Sequence, residues 1–144
     1  MIDKIDRTNY ARFRDMLQWR ATGDASTKAT TPPSGRILQD LDDPNLYVYA
    51  YEADGKYVGW ISLVYIPKVS RCHGHLYVDE LWTAPEYRRR GIATALMQQA
   101  DIVAKELDAS GLRLYVNTEN PGAKALYEKM GYAADGTAHW MSKE

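Results

Sequence analysis

Three arginines in a row, Arg88, Arg89 and Arg90, run into Gly91 in the stretch EYRRRGIATALMQQA, and a helical pattern begins at that glycine. The start of a helix already carries partial positive charge from its unpaired N–H groups, so the arginines stand where Asp or Glu is normally favoured. Either their guanidinium groups only point into water, or something anionic docks there. Gly91 has no Cβ and lets a ligand approach the backbone closely. Consecutive N–H groups at a helix start form an anion site, and arginine adds forked donors suited to phosphate. Such a combination can grip a pyrophosphate. Just upstream, VDEL (78–81) sets two carboxylates, Asp79 and Glu80, side by side in a strand pattern. RCHGH (71–75) offers Cys72, His73 and His75, but no fourth ligand stands at a recognisable spacing, so a polar loop entering a strand is favoured over a zinc site.

The elements around these residues read as one domain spanning 1–144. Ile5, Tyr10, Phe13 and Leu17 predict a helix over 5–19, with Asp6 as its N-cap. Residues 21–35 are small, polar and proline-bearing, and read as a loop; a short helix follows, with Ser34 as cap and Ile37, Leu38 and Leu41 as its apolar side. LYVYAYE (46–52) and YVGWISLVYI (57–66) are strands joined by an Asp-Gly turn. Tyr47, Tyr49 and Tyr51 share one face of the first of them, either packed against a helix or walling a substrate pocket. GHLYVDELWT (74–83) is a strand, and the helix opened by Gly91 repeats its apolar residues through Ile92, Leu96, Ala100, Val103 and Leu107. LRLYVN (112–117) is a strand, PGAKALYEKM (121–130) a helix stopped by Gly131, and AHWMSK (138–143) a closing strand. The order α-α-β-β-β-α-β-α-β predicts a mixed α/β fold with antiparallel hairpins first and a β-α-β crossover later.

The 144 residues carry a net charge of −1, with 45% hydrophobic and 26% charged residues, which fits a globular chain and argues against disorder and against a general nucleic-acid binder. No apolar run reaches the length of a membrane span, and MIDKIDRTNY has no apolar signal region. The single cysteine allows no internal disulfide, so a reducing cytoplasm is the expected home.

The chain resembles the GNAT N-acetyltransferases over roughly residues 57–143. That family's acyl-CoA pyrophosphate loop follows Gln/Arg-x-x-Gly-x-Gly/Ala, matched by Arg88, Gly91 and Ala93. LYVDELWTAPEYR looks like the family's fourth strand and its exit, and YVNTENPGAKALYEKMGY like its fifth strand and the following helix with an Asn…Ala-x-x-x-Tyr signature. One departure stands out: many members carry glycine directly after the first Arg/Gln, where this chain has Arg89.

The resemblance implies a largely antiparallel sheet flanked by helices around a β-α-β acyl-CoA-binding core. It also implies acetyl-CoA as acyl donor, bound without any metal. Arg88, Arg89 and Arg90 would face the pyrophosphate, with backbone N–H groups from Arg89 through Gly91, Ile92 and Ala93 to Thr94 doing the gripping. Leu81, Trp82 and Thr83 would offer backbone groups to the acetyl carbonyl and the pantetheine arm. Asn117, Asn120 and Ala123 would border that arm, although both asparagines equally suit turn hydrogen bonds. Tyr127 would set its hydroxyl near the departing sulfur. The reaction is direct attack of an amine on the thioester, and because an alkyl amine arrives protonated, Asp79 or Glu80 would accept its proton. The two point to opposite faces of a regular strand, so one alone faces the thioester unless a bulge intervenes.

A small cationic amine, polyamine-like or aminoglycoside-like, is the expected substrate, favoured also by Asp40, Asp42 and Asp43. A peptide or protein amine is the alternative. Two other classes remain: a CoA-binding regulatory module without turnover, and a nucleic-acid binder gripping backbone phosphate through the arginines. A homodimer is implied by the resemblance and by the open edges a small sheet leaves.

Overall fold

The computed structural model describes residues 1–70 and 73–144. Its elements are β1 (Ile2–Lys4), α1 (Tyr10–Thr22), α2 (Gly35–Leu41), β2 (Leu46–Ala53), β3 (Lys56–Ile66), β4 (His75–Thr83), one 3-10 turn (Pro85–Tyr87), α3 (Ile92–Glu106), β5 (Leu112–Leu114) and α4 (Pro121–Lys129). The strands lie in the order β1-β2-β3-β4-β5; the first four are antiparallel, and β5 joins parallel to β4 after the α3 crossover. This is the mixed, largely antiparallel sheet expected from the sequence. Asp54 and Gly55 both take positive φ in the β2–β3 turn, as Asp-Gly hairpin chemistry requires.

The sheet is apolar on both faces. One face packs Val58, Ile61, Leu63, Leu76 and Val78 against Leu96, Met97, Ala100 and Val103 of α3. The opposite face packs Ala50 and Trp60 against Tyr10, Phe13 and Met16 of α1. Tyr47, Tyr49 and Tyr51 are half-buried on the α3 side, so their face is a packing face. Each fully buried aliphatic side chain contributes ~1.5–3 kcal/mol, which makes α3 and β3 the rigid frame for what lies between them.

Several expectations are corrected. Residues 5–9 are not helical, because Ile5 N–H still bonds Val48 across the sheet edge, and α1 therefore starts at Tyr10 with Asn9 preceding it. The Asp6 carboxylate instead accepts from the backbone and hydroxyl of Thr8. β1 was not legible in its short polar sequence. β5 ends at Leu114 rather than 117, since Asn117 closes a turn: its side chain accepts from Glu119 N–H and its carbonyl from Asn120 N–H. Residues 138–143 form no strand; Trp140 is 93% exposed, so no burial offsets the entropy of ordering them. The acidic run before β2 is locally engaged: Asp42 holds Arg7 with both oxygens, Asp40 pairs with Arg36, and Asp43 accepts from Asn45 N–H. Among the described residues no helix is long and apolar enough to cross a membrane.

Candidate functional site

The site begins with a break in the regular pairing of β3 and β4. Ser62 lies opposite Glu80, but its neighbour Leu63 lies opposite Val78, so Asp79 is an extra residue in a β-bulge. Val78 and Leu81 consequently both pack toward the α3 core. Glu80 and Trp82 turn to the α1 face, where Trp60 Nε1–H donates to Glu80 Oε2 at 3.3 Å and the Trp60 and Trp82 rings sit 5.2 Å apart. Asp79 and Glu80 are both exposed at the bulge.

The same point marks a parting of strands. β5 pairs with β4 only through Leu76–Val78, while β4 runs on to Thr83. From Asp79 to Thr83 the edge of β4 therefore has no strand partner on the β5 side among the described residues. This gap leads to the loop before α3.

The loop is pinned by Tyr87, whose hydroxyl donates to Asp54 in the β2–β3 turn and whose ring carries the Arg90 guanidinium 4.9 Å from its centroid. Arg88 Nε donates back to the Thr83 carbonyl at 3.1 Å. Arg88 is extended, Arg89 takes φ 60°, and Gly91 takes φ 78°. A left-handed non-glycine residue is uncommon and clusters in functional loops. Arg90 stands between two left-handed residues, an alternation of backbone hand of the kind that can turn successive N–H groups to one side and make an anion-binding concavity. No acidic side chain occupies the first turn of α3. The result is a cleft of about 210 Å³ lined by Thr83, Arg88, Arg89, Gly91 through Thr94, and Leu126 of α4. Among the described residues the Thr83 hydroxyl at this cleft is buried without a hydrogen-bond partner, and a Cβ built on Gly91 would meet no atom within 4 Å. These features fit a pyrophosphate-sized anion.

Of the residues expected from the sequence, Thr83, Arg88, Arg89, Gly91, Ile92, Ala93 and Thr94 come together at the cleft, while Arg90 is engaged with Tyr87. Asn120 caps α4, accepting from Ala123 N–H at 3.1 Å. Tyr127 is half-buried on α4, 6.1 Å edge-to-face from Tyr132, and burial raises its hydroxyl pKa. Tyr132, whose hydroxyl is buried with no hydrogen-bond partner among the described residues, is pushed up to about 12 by burial, then by Asp101 and Tyr127. Cys72 lies outside the described residues. His73 Nδ1 lies 3.5 Å from Asp108, and His75 is buried on β4. Sequence reasoning missed Tyr87, whose pinning by Asp54 spans two elements, and Trp60, whose bond to Glu80 depends on strand register.

Comparison with known proteins supplies the class. The model of the Acetyltransferase (GNAT) family matches residues 11–132, and the chain belongs to that family. An uncharacterized N-acetyltransferase of Bacillus subtilis (strain 168) is 35% identical over 102 residues, covering 70% of this chain and 60% of that protein. A second, from Methanocaldococcus jannaschii, is 33% identical, covering 66% of this chain and 42% of its own length. The matched part of the chain thus spans between two fifths and three fifths of these relatives. Among solved structures, an aminoglycoside acetyltransferase from an uncultured soil metagenomic sample, in complex with sisomicin, superposes with a TM-score of 0.85 at 14% identity, covering 100% of this chain and 95% of that one. At that identity the likeness is one of fold.

Proposed function

We propose that the chain is an acyl-CoA-dependent N-acetyltransferase that moves an acetyl group from acetyl-CoA to a primary amine of a small cationic substrate, polyamine-like or aminoglycoside-like. The observation that carries this reading is the opening between β4 and β5. It joins an anion-gripping loop at one end to a carboxylate pair at the other.

The pyrophosphate of acetyl-CoA sits on the N–H groups from Arg89 to Thr94, with the α3 dipole behind it. The pantetheine amides run along the free edge of β4 from Leu81 to Thr83, taking backbone groups that a neighbouring strand would otherwise use. The amine nitrogen attacks the thioester carbonyl, a C–N bond forms, the C–S bond breaks, and the proton that the nitrogen sheds on becoming an amide passes to the departing sulfur, so the coenzyme leaves as the thiol. Asp79 or Glu80, directly or through water, accepts the ammonium proton. Tyr127, kept protonated by burial, donates to the departing sulfur. The chain's own family membership and the aminoglycoside acetyltransferase fold relative both support an amine acceptor.

The test is thiol release from acetyl-CoA across a panel of polyamines, aminoglycosides, amino acids and short peptides. Turnover with the polycationic amines and none with neutral amino acids is expected. Release with peptides alone would move the substrate to the peptide class, and no release with any amine would overturn the reading.

A further inference from the structure

On the α1 side of the sheet, next to the bulge, a group of side chains gathers that the anion loop does not use. Ser62 is only 9% exposed, and its Oγ is buried with no hydrogen-bond partner among the described residues. Folded proteins leave few such groups unpaired, because the lost hydrogen bond is costly. The cross-strand neighbour of Ser62 is Glu80, whose carboxylate the Trp60 indole already holds in place. Tyr77 lies on the same face, opposite Val64. Tyr115, the first residue beyond β5, meets Tyr77 edge-to-face across the sheet at 5.8 Å and 64°. Tyr115 is nonetheless 77% exposed, so most of its ring is presented to solvent. Asp79 is close enough that its charge, after burial, raises the Tyr77 hydroxyl pKa.

We propose that Tyr77 and Tyr115, with Ser62 as floor and Asp79 and Glu80 as rim, form an ammonium-binding cage that selects the acceptor. This rests on the acetyltransferase reading of the same site and gives its substrate class a physical basis. An aromatic face attracts a cation through its quadrupole. The two carboxylates add charge attraction, and the free lone pairs of Ser62 Oγ accept an N–H. Arg113 stands opposite Tyr77 on β5 with an exposed side chain. A second guanidinium, that of Arg20, lies 5.2 Å from the centroid of the Trp60 ring on the same face, so two carboxylates stand against two guanidinium groups and the two tyrosine rings supply the preference for a cation. The acceptor is therefore an alkyl ammonium rather than a neutral amide or alcohol. Tyr115 is a specificity residue to which the loop and strand motifs assign no role.

The test titrates 1,6-diaminohexane into the full chain in the presence of CoA by calorimetry, with 1,6-hexanediol as the uncharged probe of equal length. It uses wild type, Tyr115→Ala and Tyr115→Phe, and runs thiol release in parallel. Because Tyr115 is largely exposed, its removal leaves the core intact, which the melting temperature checks. Tyr115→Ala should weaken diamine binding about fivefold, as expected for loss of one partly exposed cation–π contact, and raise KM with little change in kcat. Tyr115→Phe keeps the ring and should stay within about twofold of wild type. Equal diamine affinity in wild type and Tyr115→Ala, no diamine binding at all, or hexanediol binding as tightly as diamine would each overturn the cage. Diamine binding that depends on Tyr115 without thiol release would keep the cage and remove the transferase. Thiol release with KM unaffected by Tyr115→Ala would do the reverse.

Discussion

Gly91→Ala separates the cost of backbone strain from the cost of a blocked ligand. Gly91 sits at φ 78°, where an L side chain is strained by ~1–2 kcal/mol. A Cβ there touches no protein atom within 4 Å, so strain is the whole penalty in the free protein. At roughly 3–4 °C per kcal/mol for a chain of this size, the melting temperature should fall by ~3–8 °C. Gly23, which ends α1 at φ 76° with equally open surroundings, is a matched control, and Gly23→Ala should cost about the same. The two variants should part company when acetyl-CoA is added. A ligand at a hundred times its dissociation constant stabilises the fold by about 2.7 kcal/mol. If the new methyl group occupies the path of the pyrophosphate and weakens binding a hundredfold, that gain shrinks to about 0.4 kcal/mol. Differential scanning fluorimetry with and without acetyl-CoA reads both quantities. The same ligand-induced shift in Gly91→Ala as in Gly23→Ala would refute the assignment of the loop.

The carboxylates should show their role in pH profiles: at least one of Asp79→Asn and Glu80→Gln should lower turnover strongly near neutral pH and less at high pH, where the amine arrives deprotonated. Flat, unchanged profiles in both variants would remove them from proton transfer and amine anchoring. Tyr127→Phe should lower kcat and kcat/KM together by at least about tenfold while acetyl-CoA titrates normally, the signature of a contact made in the transition state. Normal turnover would make it a packing residue. Asn120→Ala removes the side-chain cap of α4 and should cost about 1 kcal/mol, read as a lowered urea midpoint at unchanged slope. Tyr57, buried and donating to Asp3 at 2.8 Å, has its pKa pushed up to about 12. A phenol kept neutral by folding stabilises below its unfolded pKa, near 10, and that stability is lost as pH rises toward 12. The melting temperature of wild type should therefore fall more steeply across that window than that of Tyr57→Phe.

Patterns that depend on neighbouring residues were legible in the sequence, and those that depend on register were not. The Asp54-Gly55 turn, the Ser34 cap and the apolar stripe of α3 are each set by residues within one or two turns of chain, and each lies where the pattern places it. β1 has three residues and no apolar alternation; it exists because β2 offers an edge. The strand expected over 138–143 had the right residue types, but strand formation needs a partner and a buried face, and the fold supplies neither to it. The anion loop was readable because glycine and arginine types carry its chemistry. Ser62 and Tyr115 were not, since a serine in an apolar strand and a tyrosine beside a turn acquire meaning only when Glu80 and Tyr77 are set against them.

The Asp79 bulge makes the parity of β4 a functional quantity. One surplus residue advances the alternation by half a period, so the strand segment before it and the segment after it are out of phase. Deleting Asp79 itself would close the ladder with Val78 and Glu80 on the partners they already have, so Glu80, Leu81 and Trp82 would keep their present faces. Deleting one residue elsewhere in β4, with the bulge kept, would turn every side chain between the deletion and the nearer strand end to the opposite face. The bulge is therefore the one point where this strand can lose a residue without reversing its sides.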